Sequence, residues 1–380
     1  MDRLFKMSFD HLLTYEIKRV SNLLDENNHL LASHIKTRKV FCLVDKNLQG
    51  QISTLQNYFQ FHSITAHCFI QDASENKKDI QSIVDFTSFC FENHISRRDP
   101  IIAFGGGIIC DVGGMAASLL RRGAPCIKIP TSLLAIVDAA VGIKNGINYA
   151  DCKNSLGTFY PPAVVLIDLL FLDTLPQKEI KNGIVEMIKI ISLKDRSTWN
   201  ALQDTIDKLL KRNFDAQVIE VIDVSIAFML EELSSNLLEE NLERIVDYGH
   251  EFGHLIEIMA NFELSHGEAV GIGMALSNNL AYKLGLMDSE HHEDFLNVFR
   301  KLNFPFWHKS LSCKKLYDER EKISRHKGGT LSIVALQKIG CPLFIRDFTF
   351  TEFEYACQVL KNLELSSASS IKRQLSSRQI

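Results

Sequence analysis

The chain has 380 residues, room for about two domains. It is 46% hydrophobic and 23% charged, so it can bury a sizeable core and is not an intrinsically disordered chain. Its 42 Lys and Arg against 46 Asp and Glu leave a net charge of −4, which excludes a basic nucleic-acid-binding protein, and its 20 Gly and 8 Pro exclude a fibrous one.

In chain order, Lys39–Val44 (KVFCLV) reads as a strand ending at Asp45, and Ile64–Phe69 as a second. A helix is expected from about Lys77 to Phe91. Ile101–Phe104 is a short buried strand running into Gly105-Gly106-Gly107, followed by a helix through Asp111 to Leu120. Ile127–Ile129 is another strand, stopped by Pro130. This alternation predicts a parallel sheet with helices on its faces. After Pro176 the pattern becomes helical, over 180–193, 199–211, 216–232, 247–260 and 266–285, and strand runs vanish until Leu331–Leu336. The expected organisation is therefore 1–175 as one domain, 176–365 as a mostly helical second domain, and 366–380, which is Ser-rich, as a mobile tail.

No charge-free window of about 20 residues exists, because Lys128, Asp138, Asp168 and Asp173 interrupt the most apolar stretches, so no membrane span is expected. The start, MDRLFKMSFDHLL, lacks an apolar h-region, so no signal peptide is expected. Nine scattered cysteines, none in a CxxC pair, fit reduced thiols in a cytoplasmic protein.

Three groups of residues could carry chemistry. FGGGIICD (104–111) would let a phosphate reach bare backbone N–H groups at a helix start, although a tight turn with no ligand reads the same. His250 and His254 stand at i and i+4 on one helical face, His266 follows in LSHGE, and Glu186 lies in IVEMIK. Imidazoles with one carboxylate suit Zn²⁺, while ordinary surface or core histidines remain the alternative. Asp138, Lys144, Asn148, Lys153 and Asn154 form a polar cluster within an otherwise apolar run, either functional or a buried salt bridge such as Asp138 with Lys144. His62, His67, His291 and His292 read as structural or solvated, and Arg121-Arg122 alone as a solvated face.

The ordered set GGGIICDVGG, IPTSLLAIVDAAVGIKNGIN, KNSLGTFYPP, DTLP, EMIK, GHEFGH and SHGEAVGIGM resembles the sugar phosphate cyclase superfamily, of which 3-dehydroquinate synthase is the best-known member. The resemblance runs from about Val40 to Gly340. It implies a dehydroquinate synthase-like fold, an α/β N-terminal Rossmann-like domain that binds NAD plus a mostly α-helical C-terminal domain that carries Zn²⁺ or Co²⁺. The implied metal ligands are Glu186, His250 and His266. The implied NAD site is Asp45, Glu75, Lys78, Gly106, Gly107, Asp111, Thr131, Ser132, Lys144, Lys153, Thr174 and Glu179. The implied substrate site is Asp138, Lys144, Lys153, Asn154, Lys189, Asp247 and His254. Arg122 matches an arginine reaching the substrate phosphate of a neighbouring subunit, which implies a homodimer. The implied reaction oxidises a ring hydroxyl transiently with NAD, eliminates phosphate, returns the hydride and closes the ring by an intramolecular aldol.

Departures from the dehydroquinate synthase pattern narrow the substrate. There a lysine and an arginine clamp a substrate carboxylate; those positions fall near Met229 and Glu243, with Arg244 one residue on. A methionine cannot bind a carboxylate and a glutamate repels it. The asparagine before the GH motif is Asp247, and a further phosphate-binding lysine has no clear match in SRHKGG (324–329). RRGAP, VDAAVGIK and ERIVDYGH resemble 2-epi-5-epi-valiolone synthases, which cyclise sedoheptulose 7-phosphate, whereas His254 is dehydroquinate synthase-like. Dehydroquinate synthase, 2-epi-valiolone or desmethyl-4-deoxygadusol synthase, and a metal-dependent NAD polyol dehydrogenase remain alternatives. A non-catalytic binding protein is disfavoured because the implied ligands and lysines are all present.

Overall fold

The computed structural model describes residues 14–150, 152–326 and 328–376, giving the backbone alone for 326 and 367–376. The signal-peptide expectation rests on residues 1–13, and the tail and SRHKGG readings include 377–380 and Lys327; these lie outside the described residues. The chain forms two compact units. The first joins residues up to 131 with 142–170, and the second joins 132–141 with 171 onward.

The first unit contains β1 (Glu16–Arg19), α1 (Leu30–Ser33), β2 (Lys39–Asp45), α2 (Ile52–Phe61), β3 (Thr65–Gln71), α3 (Ile80–Glu92), β4 (Ile101–Gly105) and α4 (Gly107–Leu119). They are followed by β5 (Cys126–Pro130), β6 (Lys144–Tyr149), β7 (Cys152–Phe159) and β8 (Val164–Ile167). Six strands form one parallel sheet in the order β1-β8-β5-β4-β2-β3. β4, β5 and β8 are buried at every position, the mark of a sheet covered on both faces. Phe41, Leu43, Ile101 and Ala103 meet Ile109, Val112 and Ala116 of α4 and Phe86 of α3 in a continuous apolar core. The chain leaves β2 for β3 on one side and β4 for β5 on the other. The carboxyl ends of β2 and β4 are therefore the switch point, where open α/β sheets bind their ligands.

β6 and β7 form a separate antiparallel hairpin, Lys144 opposite Phe159. Sequence patterning missed it because β7 is mostly exposed and offers no buried alternation. It also missed β1, EIKR, three of whose four residues are charged.

The second unit holds α5 (Gln177–Lys194), α6 (Arg196–Leu210), α7 (Ala216–Ser234), α8 (His250–Met259), α9 (His266–Lys283), α10 (Ser289–Lys301), α11 (Cys313–Asp318), α12 (Arg320–His326) and α13 (Phe350–Ser376). The hairpin β9 (Ile333–Lys338) and β10 (Cys341–Ile345) completes it. A π-helical turn, Ala135–Ala139, belongs to this unit although its sequence lies among first-unit elements. α9 is buried from Ala269 to Ala281, so it forms the centre of the unit. α13 carries helix through Ser376, into the segment expected as a tail. The helix expected over 247–260 begins instead at His250: Ile245–Asp247 is a 3₁₀ turn, and Gly249 at φ 81 breaks the helix from it. No helix among the described residues is long and apolar enough to cross a membrane.

Candidate functional site

In the first unit, Asp45 ends β2 and Gly105 ends β4, side by side at the switch point. A Cβ on Gly105 would stand 2.9 Å from the Asp45 Cβ and 2.7 Å from Ile109, so only glycine lets strand and helix approach this closely. Gly106 is the N-cap of α4 and supplies no side-chain cap, which leaves the first N–H groups of a 13-residue helix for an anion. The Thr131 N–H donates to the Gly105 carbonyl at 2.9 Å, and this holds the β5 end beside the same turn. The buried Asp45 carboxylate accepts from the Asn47 N–H at 2.9 Å.

A polar network follows from α3, α4 and the hairpin. Lys78, buried just before α3, pairs through Nζ with Asp111 at 2.6 Å and donates to Asn154 Oδ1 at 2.6 Å. The Asn148 amide donates to Glu75 Oε1 at 2.8 Å, while Asn148 Oδ1 accepts the Asn154 N–H at 2.9 Å. Lys153 Nζ lies 3.5 Å from Glu75 Oε1. Five expected residues, Glu75, Lys78, Asp111, Lys153 and Asn154, thus meet in one network. Asn148, named in the same polar run of the sequence, joins them.

In the second unit, Glu186 (α5), His250 (first residue of α8) and His266 (first residue of α9) converge. One ligand atom from each lies within 4.8 Å of the others. Glu186 Oε1 is 3.7 Å from His250 Nε2 and 3.5 Å from His266 Nε2. Close backbone packing sets this geometry. A Cβ on Gly249 would fall 2.7 Å from the Val270 carbonyl oxygen, and one on Gly267 would fall 2.7 Å from the Asn182 Cα, so neither tolerates a side chain. Ser265 caps α9 through a reciprocal box with Glu268, and its hydroxyl meets Asn182 Oδ1 at 2.8 Å, tying the α9 start to α5.

Lys189, one turn after Glu186 and 2% exposed, lies 2.6 Å from Glu186 Oε2 and 3.3 Å from Asp138 in the π-helical turn. Burial works against the Glu186 carboxylate, yet Lys189 and His266 hold its pKa down at about 2. Burial likewise opposes the Lys189 charge, but Asp138 and Glu186 raise its pKa. Burial and the Lys189 ammonium push His250 well below its ordinary value, so its imidazole is neutral and its lone pair is available. Burial also opposes charge on His266, yet Glu186 and Glu257 bring it to about 9. Glu186 is fully buried, with Oε2 paired to Lys189 and Oε1 facing the two imidazole Nε2 atoms. A carboxylate and two imidazole Nε2 atoms around one point fit a divalent cation of the Zn²⁺ class. The His254 ring lies 5.5 Å from the His250 ring and 6.2 Å from that of His266.

The other expected residues have plainer surroundings. Arg122 is exposed at φ 64 and Thr174 is exposed; among the described residues neither is drawn into a cluster. Lys144 opens β6, the Ser132 hydroxyl accepts the Ala135 N–H at 3.3 Å, and Glu179 accepts from Asn182 at 3.0 Å. Asp247 sits in the 3₁₀ turn rather than on the α8 face and accepts from Arg244 at 2.5 Å. Arg244 also pairs with Glu239, so its charge is engaged on both sides. Glu243 is gripped by Arg346 at 3.1 Å through both carboxylate oxygens, and Met229 is buried. Sequence reasoning missed Glu257 and the Tyr248 carbonyl, which face the outer nitrogens of His266 and His250 at 3.4 Å each. The spacing 250, 254, 257, one helical face, was the signal for Glu257.

Comparison with known proteins gives the family. The 3-dehydroquinate synthase N-terminal model matches residues 68–182, and the C-terminal model matches 183–323. A 2-epi-5-epi-valiolone synthase from Actinomyces sp is 35% identical over 93% of this chain and 97% of its own length. A 3-dehydroquinate synthase from Campylobacter jejuni subsp. doylei is 35% identical over 74% of this chain and 80% of its own. The solved structure of ValA, the 2-epi-5-epi-valiolone synthase of Streptomyces hygroscopicus subsp. jinggangensis 5008 with NAD⁺ and Zn²⁺ bound, superposes with a TM-score of 0.90. It is 32% identical, and the match covers 94% of this chain and 99% of that one. The chain belongs to the sugar phosphate cyclase superfamily, as a dehydroquinate synthase-like member related along almost its whole length to the 2-epi-5-epi-valiolone synthases.

Proposed function

We propose that the chain is a 2-epi-5-epi-valiolone synthase, converting sedoheptulose 7-phosphate to the C7 cyclitol and inorganic phosphate with no net redox change. The observation that carries this reading is the fate of the carboxylate clamp. Met229 is apolar and buried, Glu243 is anionic and held by Arg346, and Arg244 is spent on Glu239 and Asp247. A substrate carboxylate would meet no unpaired cation among these described residues, and sedoheptulose 7-phosphate has no carboxylate to place.

NAD supplies a reversible hydride acceptor, and the divalent cation supplies a Lewis acid. Glu186, His250 and His266 would hold the metal. Asp45, the Gly105–Gly107 turn and Thr131 would hold the dinucleotide, with Glu75, Lys78, Asp111, Ser132, Lys144, Thr174 and Glu179 completing its site. Lys153, Asn154 and Lys189 bind anionic oxygens and offset the charge that develops as phosphate leaves. Asp138 and Asp247 orient hydroxyls, and His254, beside both ligand imidazoles, holds or moves a proton. Arg122, exposed on a left-handed turn, would reach the phosphate bound by a second copy in a homodimer.

The test is phosphate release with catalytic NAD⁺ and Zn²⁺ or Co²⁺, comparing sedoheptulose 7-phosphate with 3-deoxy-arabino-heptulosonate 7-phosphate and identifying the product by NMR. Release from sedoheptulose 7-phosphate alone, with no NADH accumulating and sedimentation at twice the chain mass, is expected. Release from the heptulosonate alone would return the chain to dehydroquinate synthesis, and net NADH would make it a dehydrogenase.

A further inference from the structure

The two ligand imidazoles are held alike. Each turns Nε2 toward Glu186 Oε1, at 3.7 Å for His250 and 3.5 Å for His266. Each also turns Nδ1 toward an oxygen acceptor at 3.4 Å. The acceptors differ. His250 faces the neutral carbonyl of Tyr248, two residues before it. His266 faces the carboxylate of Glu257, which stands on another helix, α8, seven residues after His250. Glu257 is 3% exposed. A carboxylate this deep carries a desolvation cost of several kcal/mol, and an N–H aimed at it helps to offset that cost. A carboxylate against Nδ1 favours the tautomer with the proton there, which leaves the Nε2 lone pair directed at the point where the three ligand atoms converge.

We propose that Glu257 is a positioning residue of the metal centre, fixing the tautomer and ring orientation of His266 and thereby setting the affinity for the divalent cation. The inference rests on the reading of Glu186, His250 and His266 as the metal ligands. It also links two helices: α8 supplies one ligand directly through His250 and aims a second, on α9, through Glu257.

The experiment measures Zn²⁺ affinity of the metal-free full chain by competition with a chromophoric chelator, for wild type, Glu257→Gln, His266→Ala and the double variant. Wild type is expected to bind one Zn²⁺ per chain. Glu257→Gln, which keeps the shape and loses the charge, is expected to bind about 10–100-fold more weakly, as outer partners of metal-bound histidines do. The double variant is expected to lose no more than His266→Ala alone, because Glu257 acts through that ring. Affinity of Glu257→Gln within about twofold of wild type, or full additivity in the double variant, overturns the proposal. Absence of stoichiometric Zn²⁺ binding by wild type overturns the metal centre itself, a distinct failure. If circular dichroism finds metal-free Glu257→Gln unfolded, Glu257→Asp replaces it: the charge stays but is withdrawn by one methylene, and weakening beyond twofold is again required.

Discussion

The two polar clusters are built by opposite means. In the first unit, Glu75, Lys78, Asp111, Asn148, Lys153 and Asn154 answer one another across a helix lead-in, a helix and a hairpin, so charge is balanced within the network. In the second unit, buried Glu186 turns one oxygen to Lys189 and the other to two imidazole nitrogens. The first cluster is satisfied by its own side chains. The second gathers a carboxylate and two imidazoles around one point, set by close backbone packing at Gly249 and Gly267. The contrast teaches that a network of paired charges can be assembled from a helix lead-in and a hairpin, whereas bringing three metal-ligating side chains to one point requires close packing of the backbones that carry them.

Three substitutions would break or sharpen that contrast. The largest effect is expected from His250→Ala. Loss of a direct ligand should weaken Zn²⁺ by more than about 100-fold, beyond what an outer partner contributes, and abolish turnover. Unchanged metal content by atomic absorption would remove His250 from the ligand set. Lys189→Met should destabilise the metal-free protein by about 3–5 kcal/mol, because Glu186 and Asp138 lose their buried partner. Saturating Zn²⁺ should shrink that cost by supplying positive charge to Glu186, and urea unfolding with and without the metal reads both values. An identical cost in the two conditions would mean that the cation does not sit against Glu186. The smallest effect is expected from Lys78→Met, about 1.5–3 kcal/mol for a hydrogen-bonded charge, with weaker NAD⁺ binding by calorimetry and unaltered Zn²⁺ affinity. A parallel loss of Zn²⁺ affinity would show that the two clusters are not independent.

Particular residues show what was legible. β2, β4 and β5 were readable because a covered parallel strand is an unbroken apolar run, and α5 and α9 because apolar spacing persists over many turns. The hairpin β6–β7 was not readable: its residues serve polar contacts, so composition gave no strand period. The start of α8 was misplaced because Tyr248 and Asp247 continue the helical pattern, while the break at Gly249 depends on α9 pressing against it.

The order of motifs along the chain by itself determined the superfamily and put forward the ligand residues and the loss of the carboxylate clamp, because residue identity fixes which groups can bind a metal, a phosphate or an anion. Tertiary structure alone decided three further things. It tied Arg244 to Glu239 and Asp247, assigned Ser132–Val141 to the second unit, and set Glu257 against His266. Each is a contact between side chains or segments brought together by packing, and the identities along a chain do not specify which partner a charged group will meet in three dimensions.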